Sequence, residues 1–394
     1  MNHTIPHQSY GALFLRFLRF GALAWGGPVA QIGMLERELV EEERWITPER
    51  FNRALAVYQV LPGPEAHELC VYFGMLARGR FGGFLAGLGF MLPGFVLMFG
   101  LSWLYVESQG ALAPGWGAIF LALQAAVLAL IVRAVHRIGA HALHDRWLFG
   151  LAAATLAGSL AGLHFAVVLA LVGAFYGALR AGRRALCATL ALVWAAAVAY
   201  ALLAPSAAAE VALASTTRSG HVSQPLLFYS GLKSGLLTFG GAYTVIPFLQ
   251  RDAVVTGGWM TNDQFLDGLA LSGILPAPLI IFATFVGFLG GGVLGALLLT
   301  IGIFLPAFGF TLIAHDPLER VTQRKGVRHF LDGITAGVVG LIAATTVQLA
   351  PIALGSLRAA AVATVSLALL YKVKHKLNVL LVMGFAVAAG ALFF

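Results

Sequence analysis

Four interruptions in otherwise apolar runs carry the residues best placed for chemistry. Gly26-Gly27-Pro28 and Gly240-Gly241-Ala242 break one pair of hydrophobic segments, and Pro62-Gly63-Pro64 and Pro276-Ala277-Pro278 break a second pair. Proline lacks an N–H and clashes with the preceding helical turn, yet suits the first position of a new helix. Each break is therefore expected to start a half-helix, with unpaired N–H groups and the positive end of a dipole. Four such ends converging near the bilayer midplane would form an anion site. The plainer alternative is a packing kink, which transmembrane helices tolerate.

Ionisable residues stand beside these breaks. Arg19 lies seven residues before Gly26, and Lys233 seven before Gly240. A charge at the centre of a spanning helix costs at least ~2.5–3.5 kcal/mol, so it faces a cavity or a partner unless it snorkels to the interface. Lys233 is the only Lys, Arg, Asp or Glu between Arg218 and Arg251. It is therefore the stronger candidate for holding an anion. Arg37 with Glu38, and Arg251 with Asp252, are expected to form interfacial ion pairs. Glu65, His67 and Glu68 follow Pro64, where the second half has Leu279, Ile281 and Phe282. Acids and a histidine at such depth suit proton relay; a watery vestibule, or a cap on the new half-helix by Glu65, would also explain them. The candidate substrate-binding set is thus Arg19, Gly26, Gly27, Pro62, Gly63, Pro64, Lys233, Gly240, Gly241, Pro276 and Pro278. Glu65, His67 and Glu68 are the proton-coupling candidates.

The elements that must position these residues are membrane helices. Of 394 residues, 59% are hydrophobic and 11% charged, against about 25% charged in soluble domains. Mean hydropathy is +0.87, and apolar stretches long enough to cross a ~30 Å hydrocarbon layer recur along the chain. The net charge of +8 is scattered over short loops, a topological pattern and not a nucleic-acid face. Cys70 and Cys187 read as reduced core residues, and no metal or cofactor is implied. His136, His141 and His144 read as solvated loop residues among arginines. Thr47 and Thr261 are expected to cap helices, with Trp45 and Trp259 at the membrane interface. The first apolar run shows no small-residue cleavage site and is expected to remain in the protein.

The chain repeats itself. Residues 26–64 align with 240–278 without a gap, and 14 of those 39 positions are identical, including Arg37/Arg251, Trp45/Trp259 and Pro62/Pro276. Seven spans are expected in the first half, near 10–35, 50–76, 81–106, 115–135, 147–162, 164–180 and 185–204. Six are expected in the second, near 226–250, 265–289, 291–314, 331–349, 355–371 and 377–394. The Gly/Pro-broken segments could instead be re-entrant hairpins. Lys and Arg accumulate on the cytoplasmic side, and their bias is opposite in four matched loop pairs. Arg78 and Arg80 face Gly290 to Gly292; 107–115, free of basic residues, matches a loop with Arg320, Arg324, Lys325 and Arg328. Arg133, Arg137 and Arg146 match a lone Arg358, while 161–164 matches Lys372, Lys374 and Lys376. The reading is an all-α polytopic membrane protein of about 13 segments: a first repeat over 1–204, an external linker at 205–224, and a second, inverted repeat over 225–394. Inverted repeats of this kind are typical of secondary transporters.

The runs Phe20-Gly21 to Gly26-Gly27-Pro28, Glu36-Arg37-Glu38, Arg44-Trp45, Leu61-Pro62-Gly63-Pro64 and Leu92-Pro93-Gly94 closely resemble the chromate ion transporter (CHR) family. Thr238-Phe239-Gly240-Gly241, Leu275-Pro276-Ala277-Pro278 and Phe304-Leu305-Pro306 repeat the resemblance in the second half. It covers nearly the whole chain, in the long form with two fused domains. It implies a multi-pass inner-membrane transporter associated with chromate efflux, with sulfate as a similar anion. Ala242 and Ala277 depart from the first-half motifs, and the acidic Glu65-Ala66-His67-Glu68 run departs from the small neutral residues such a motif implies. The chain carries no His-Glu-x-x-His, Gly-x-Ser-x-Gly or paired intramembrane aspartates, the usual marks of an intramembrane enzyme. A sulfate carrier and a passive anion channel remain as alternatives, and protons and a homodimer partner remain open.

Overall fold

The computed structural model describes residues 5–6, 8–59, 61–108, 116–203, 222–322, 324–373, 375 and 377–394, with the side chains of 315–322 outside that description. Most of the expected linker, the loop 109–115, Lys374, Lys376 and the side chain of Arg320 fall outside it. Among the described residues there are fifteen α-helices, and strand-like pairing is confined to one isolated bridge. The first half comprises α1 (Tyr10–Ala22), α2 (Gly27–Leu35), α3 (Pro48–Tyr58), α4 (Glu65–Ser108), α5 (Trp116–Ala142), α6 (Arg146–Leu160), α7 (Phe165–Arg180) and α8 (Arg184–Leu203). The second comprises α9 (Gln224–Leu236), α10 (Ile246–Gln250), α11 (Asn262–Ile274), α12 (Phe282–Thr322), α13 (Lys325–Ala353), α14 (Leu357–Lys372) and α15 (Asn378–Phe393). Five helical stretches, in α4, α5, α8, α12 and α13, are long and apolar enough to cross a membrane.

The Gly/Pro-broken segments do not run straight. Arg19 pairs with Glu38 at 2.6 Å, and Arg16 with Glu43 at 2.6 Å. In one continuous helix Arg19 and Glu38 would stand about 28 Å apart, so the chain doubles back at Gly26-Gly27. Gly26 and Gly27 have φ of 92° and 75°, and Gly240 and Gly241 have 83° and 108°. Two consecutive residues in this region are readily accommodated only by glycine. Lys233 pairs with Asp252 at 2.5 Å, the repeat of the Arg19–Glu38 pair. The proline breaks are reversals too: Arg50 Nε donates to the Tyr72 hydroxyl (3.1 Å), and Trp259 Nε1 donates to the Val286 carbonyl (3.2 Å). Each half therefore begins with two helical hairpins, whose first arms, of 13 residues or fewer, reach no more than about 20 Å.

α4 and α12 each turn sharply once more, at Arg78-Gly79 and Gly291-Gly292. Their arms then pack through glycine: a Cβ at Gly21 would strike the Phe90 carbonyl, and one at its repeat partner Gly235 the Ile303 carbonyl. Small residues of this kind allow close helix approach in a bilayer.

Several expectations resolve differently. The four broken segments, expected as straight spans near 10–35, 50–76, 226–250 and 265–289, take the hairpin alternative. Arg37 reaches Glu42 (3.8 Å) in place of Glu38, and Arg251 donates to the Leu163 carbonyl. The acids instead meet the basic residues of the opposite arm, because the reversal brings those arms together. Trp45 and Trp259 are buried within the protein, and the Trp45 indole N–H donates to Glu43 Oε2 at 2.8 Å. Thr47 and Thr261 cap α3 and α11 as expected, Thr261 within a capping box.

Candidate functional site

The hairpin tips are the four predicted breaks, and they meet across the halves. Pro62 and Phe239 form the isolated antiparallel bridge, and the Gly63 N–H donates to the Thr238 carbonyl at 2.9 Å. The proline tip of the first half thus touches the glycine tip of the second. Reciprocally, Trp25, Gly26, Gly27 and Pro28 line a cavity with Ser272, Leu275, Ala277 and Leu279. Tyr243, just past Gly241, also lines that cavity and joins the two junctions. Its volume of about 30 Å³ suits one water molecule. All four breaks start helical turns: α2 at Gly27, α4 at Glu65, and short 3₁₀ turns at Ala242 and Leu279.

The first turn of α4 carries the acids. Glu65 carboxylate oxygens lie 3.7 and 3.8 Å from the position a Cβ on Gly241 would take. Glu68 is fully buried, with Oε1 3.0 Å from the corresponding position on Gly63, and neither oxygen has a hydrogen-bond partner. His67 is fully buried against Phe304 and Phe308, at 5.0 and 4.7 Å between ring centroids. Neither ring nitrogen makes a well-formed hydrogen bond, with the Gly87 backbone offering only a weak contact. Glu65 and His67 of the first half are therefore packed against the second.

Arg19 and Lys233 are engaged elsewhere. Each is tied to its repeat-related acid, and Asp252 accepts a further hydrogen bond from Ser230 (2.6 Å). Lys233 also lies over the Phe165 and Tyr229 rings at 5.6 and 5.9 Å. Neither side chain lines the cavity between the tips. Pro276 and Pro278 flank Ala277 at the second proline tip, and Pro64 precedes the acidic turn of α4.

Two groups escaped sequence reasoning. Arg137 of α5 is half-buried and within electrostatic reach of Glu65 and Tyr243, and its neighbour Ile138 lies 3.8 Å from the Cβ position of Gly240. As an arginine near a helix end it satisfies the loop-charge pattern, which hides any second role. Asp267 is buried in α11 and accepts from the Tyr105 hydroxyl (2.7 Å) and Gln124 Nε2 (2.8 Å), joining α4, α5 and α11. An acid within the apolar run 265–274 was its available signal. His136 meets the Tyr371 hydroxyl, and His141 the Arg137 carbonyl, each at 2.9 Å. Among the described residues no group of three His, Cys, Asp or Glu side chains is arranged for a metal.

Comparison with known proteins places this architecture. The family profile described as chromate transporter matches residues 11–178 and 226–391, one match in each half. A chromate transport protein of Pseudomonas aeruginosa is 56% identical over 395 residues, covering 99% of this chain and 94% of its own. A chromate transport protein of Cupriavidus metallidurans is 30% identical over 98% of this chain and 93% of its own. An uncharacterized transporter of Methanocaldococcus jannaschii is 29% identical over 96% and 93% respectively. No solved structure matches.

Proposed function

The chain belongs to the chromate transporter family, and from that premise we propose that it exports chromate, or sulfate or another tetrahedral oxyanion, across the bacterial cytoplasmic membrane. The observation that carries this reading is the crossed pairing of the tips, Pro62 with Phe239 and Gly26-Gly27 with the 275–279 turn. It gathers four helical starts where peptide N–H groups suit an anion. Hydrophobic surroundings and two opposed sets of hairpins suit alternating access, in which one tip pair parts while the other stays closed.

The topology that fits is inverted. With the hairpins re-entrant, five helices cross in the first half (the second arm of α4, then α5 to α8). Four cross in the second (the second arm of α12, then α13 to α15). The odd number in the first half inverts the second and keeps the basic loops on one side. Domain limits of 1–204 and 225–394 follow from it. Export needs no further driving force: a dianion leaving a negative interior gains ~4.6 kcal/mol per 100 mV. Proton involvement, if coupled, would run through Glu65, His67 or Glu68. The small volume of the cavity between the tips, about 30 Å³, favours a carrier over an open pore.

Flux of labelled chromate in proteoliposomes, with sulfate, molybdate and phosphate in competition, tests the reading. A carrier saturates and is accelerated by counter-substrate on the far side. Unsaturable flux, unaffected by counter-substrate, would establish a channel.

A further inference from the structure

An oxyanion between the tips needs a positive charge, because an isolated buried ion is prohibitively costly. Arg19 and Lys233 have their charge matched by Glu38 and Asp252. α5 carries a basic residue, Arg137, within electrostatic reach of Glu65 and of Tyr243 just past the Gly240-Gly241 turn. Ile138, its neighbour on α5, lies 3.8 Å from the Gly240 Cβ position, and the Glu65 carboxylate lies 3.7 Å from that of Gly241. Arg137 and Glu65 are therefore carried on the two helices beside one turn, whose buried Gly241 an anion would reach when the tips part. Among the described residues Arg137 makes no salt bridge within 4.0 Å. Its guanidinium keeps its charge at any working pH and presents a planar fork to oxygen.

We propose that Glu65 and the oxyanion compete for Arg137 at the Gly240-Gly241 turn, so that binding of a dianion is accompanied by uptake of a proton on the Glu65 carboxylate. The inference rests on the anion-site reading above and assigns its charges. With no anion present, Glu65 balances Arg137. A dianion entering the turn takes over the guanidinium and faces a second negative charge a few ångströms away. Like charges at that separation in a poorly solvated site disfavour each other strongly. A proton from water joins a Glu65 oxygen and removes that repulsion; the anion and the proton then leave the site together. The charged groups within electrostatic reach of Glu65 are Arg137 from α5 and Glu68 from its own helix; Tyr243, in the turn after Gly241, is within reach of the same arginine.

Calorimetric titration of the purified full chain with chromate, in two buffers of different protonation enthalpy, counts the protons taken up. At alkaline pH, where the Glu65 carboxylate is ionised in the absence of anion, wild type should take up about one more proton per anion than Glu65→Gln; protonation of chromate itself is common to both and cancels. Glu68→Gln should keep that extra proton. Arg137→Gln should weaken binding at least tenfold, and Arg137→Lys should recover part of the loss. Equal proton counts in wild type and Glu65→Gln overturn the proposal, as does loss of the extra proton in Glu68→Gln alone. Unchanged affinity in folded Arg137→Gln protein also overturns it. If wild type binds neither chromate, sulfate nor molybdate, the anion-site reading itself falls, and this inference with it.

Discussion

The two tip junctions share a backbone plan and differ in side chains. In each, a double-glycine tip from one half meets a double-proline tip from the other. Around Pro62-Gly63-Pro64 and Gly240-Gly241 stand Glu65, His67, Glu68 and Arg137; around Gly26-Gly27 and Pro276-Ala277-Pro278 stand Ser272, Leu275, Leu279 and Tyr243. The repeat partners of Glu65 and Glu68 are Leu279 and Phe282. Duplication supplied the hairpins, the caps and the ion pairs of their arms twice over. Among the described residues, charge stands at one junction only. On the proposed reading, geometry common to both serves as scaffold and gate, and the chemistry that tells an anion from a lipid chain would belong to the charged junction.

The sharpest break in that comparison is steric. Gly241→Leu places a side chain against the Glu65 carboxylate at a φ of 108°, and its transport should fall to background. Gly27→Ala meets no atom within 4 Å at a φ of 75°, so it should cost only the backbone strain of ~1–2 kcal/mol and retain transport. Flux and thermal stability of both proteins check this; equal loss at both sites would mean the junctions are equivalent.

Glu68 sharpens the comparison from the stability side. A buried carboxyl with neither oxygen partnered opposes folding, so Glu68→Met should raise stability by about 1–3 kcal/mol while slowing transport. Unfolding in the same detergent gives the sign. Destabilisation would mean that Glu68 has a partner within the fold.

Lys233→Gln removes a partner of Asp252 but leaves the Ser230 hydrogen bond. It should lower stability by about 1 kcal/mol and leave the apparent anion affinity within about threefold. A tenfold loss of affinity would return Lys233 to the anion site.

The smallest effect lies outside both junctions. Asp145 caps α6 through the N–H groups of Trp147 and Leu148, and accepts from the Tyr176 hydroxyl and Arg180. Burial raises its proton affinity, but those hydrogen bonds and the guanidinium outweigh it, leaving the carboxyl below its usual range. Its contribution is therefore present above the ordinary aspartate range and is lost as pH falls through the lower folded value. Asp145→Ala should cost about 1 kcal/mol without altering flux, and thermal unfolding at neutral and acid pH would read it.

Much of this was legible in the residues. The breaks, the duplication, the four helical starts and the Thr47 and Thr261 caps all follow from local chemistry, since Gly, Pro and Thr act on their own backbone. The reversals were not, because an apolar run that doubles back has the same hydropathy as one that crosses. Arg19 and Glu38, far apart along a straight helix, become neighbours only once Gly26-Gly27 turns the chain. Arg137 stayed hidden because its position already satisfied a simpler rule. The burial of Trp45 and Trp259 was hidden for a related reason: a tryptophan's statistical preference for the interface does not tell which of its faces the protein covers.

Alternating access, as proposed, requires the halves, which meet tip to tip, to part there for an anion to pass. Pro62 and Phe239 are opposed without mutual hydrogen bonds, the closer of the two antiparallel pairings and one within disulfide reach. Flux of labelled chromate through Pro62→Cys/Phe239→Cys protein, with Cys70 and Cys187 replaced by alanine, is the direct measurement. Oxidation should stop transport, reduction should restore it, and each single cysteine variant should be insensitive to oxidant. Undiminished flux through the fully cross-linked protein would contradict it.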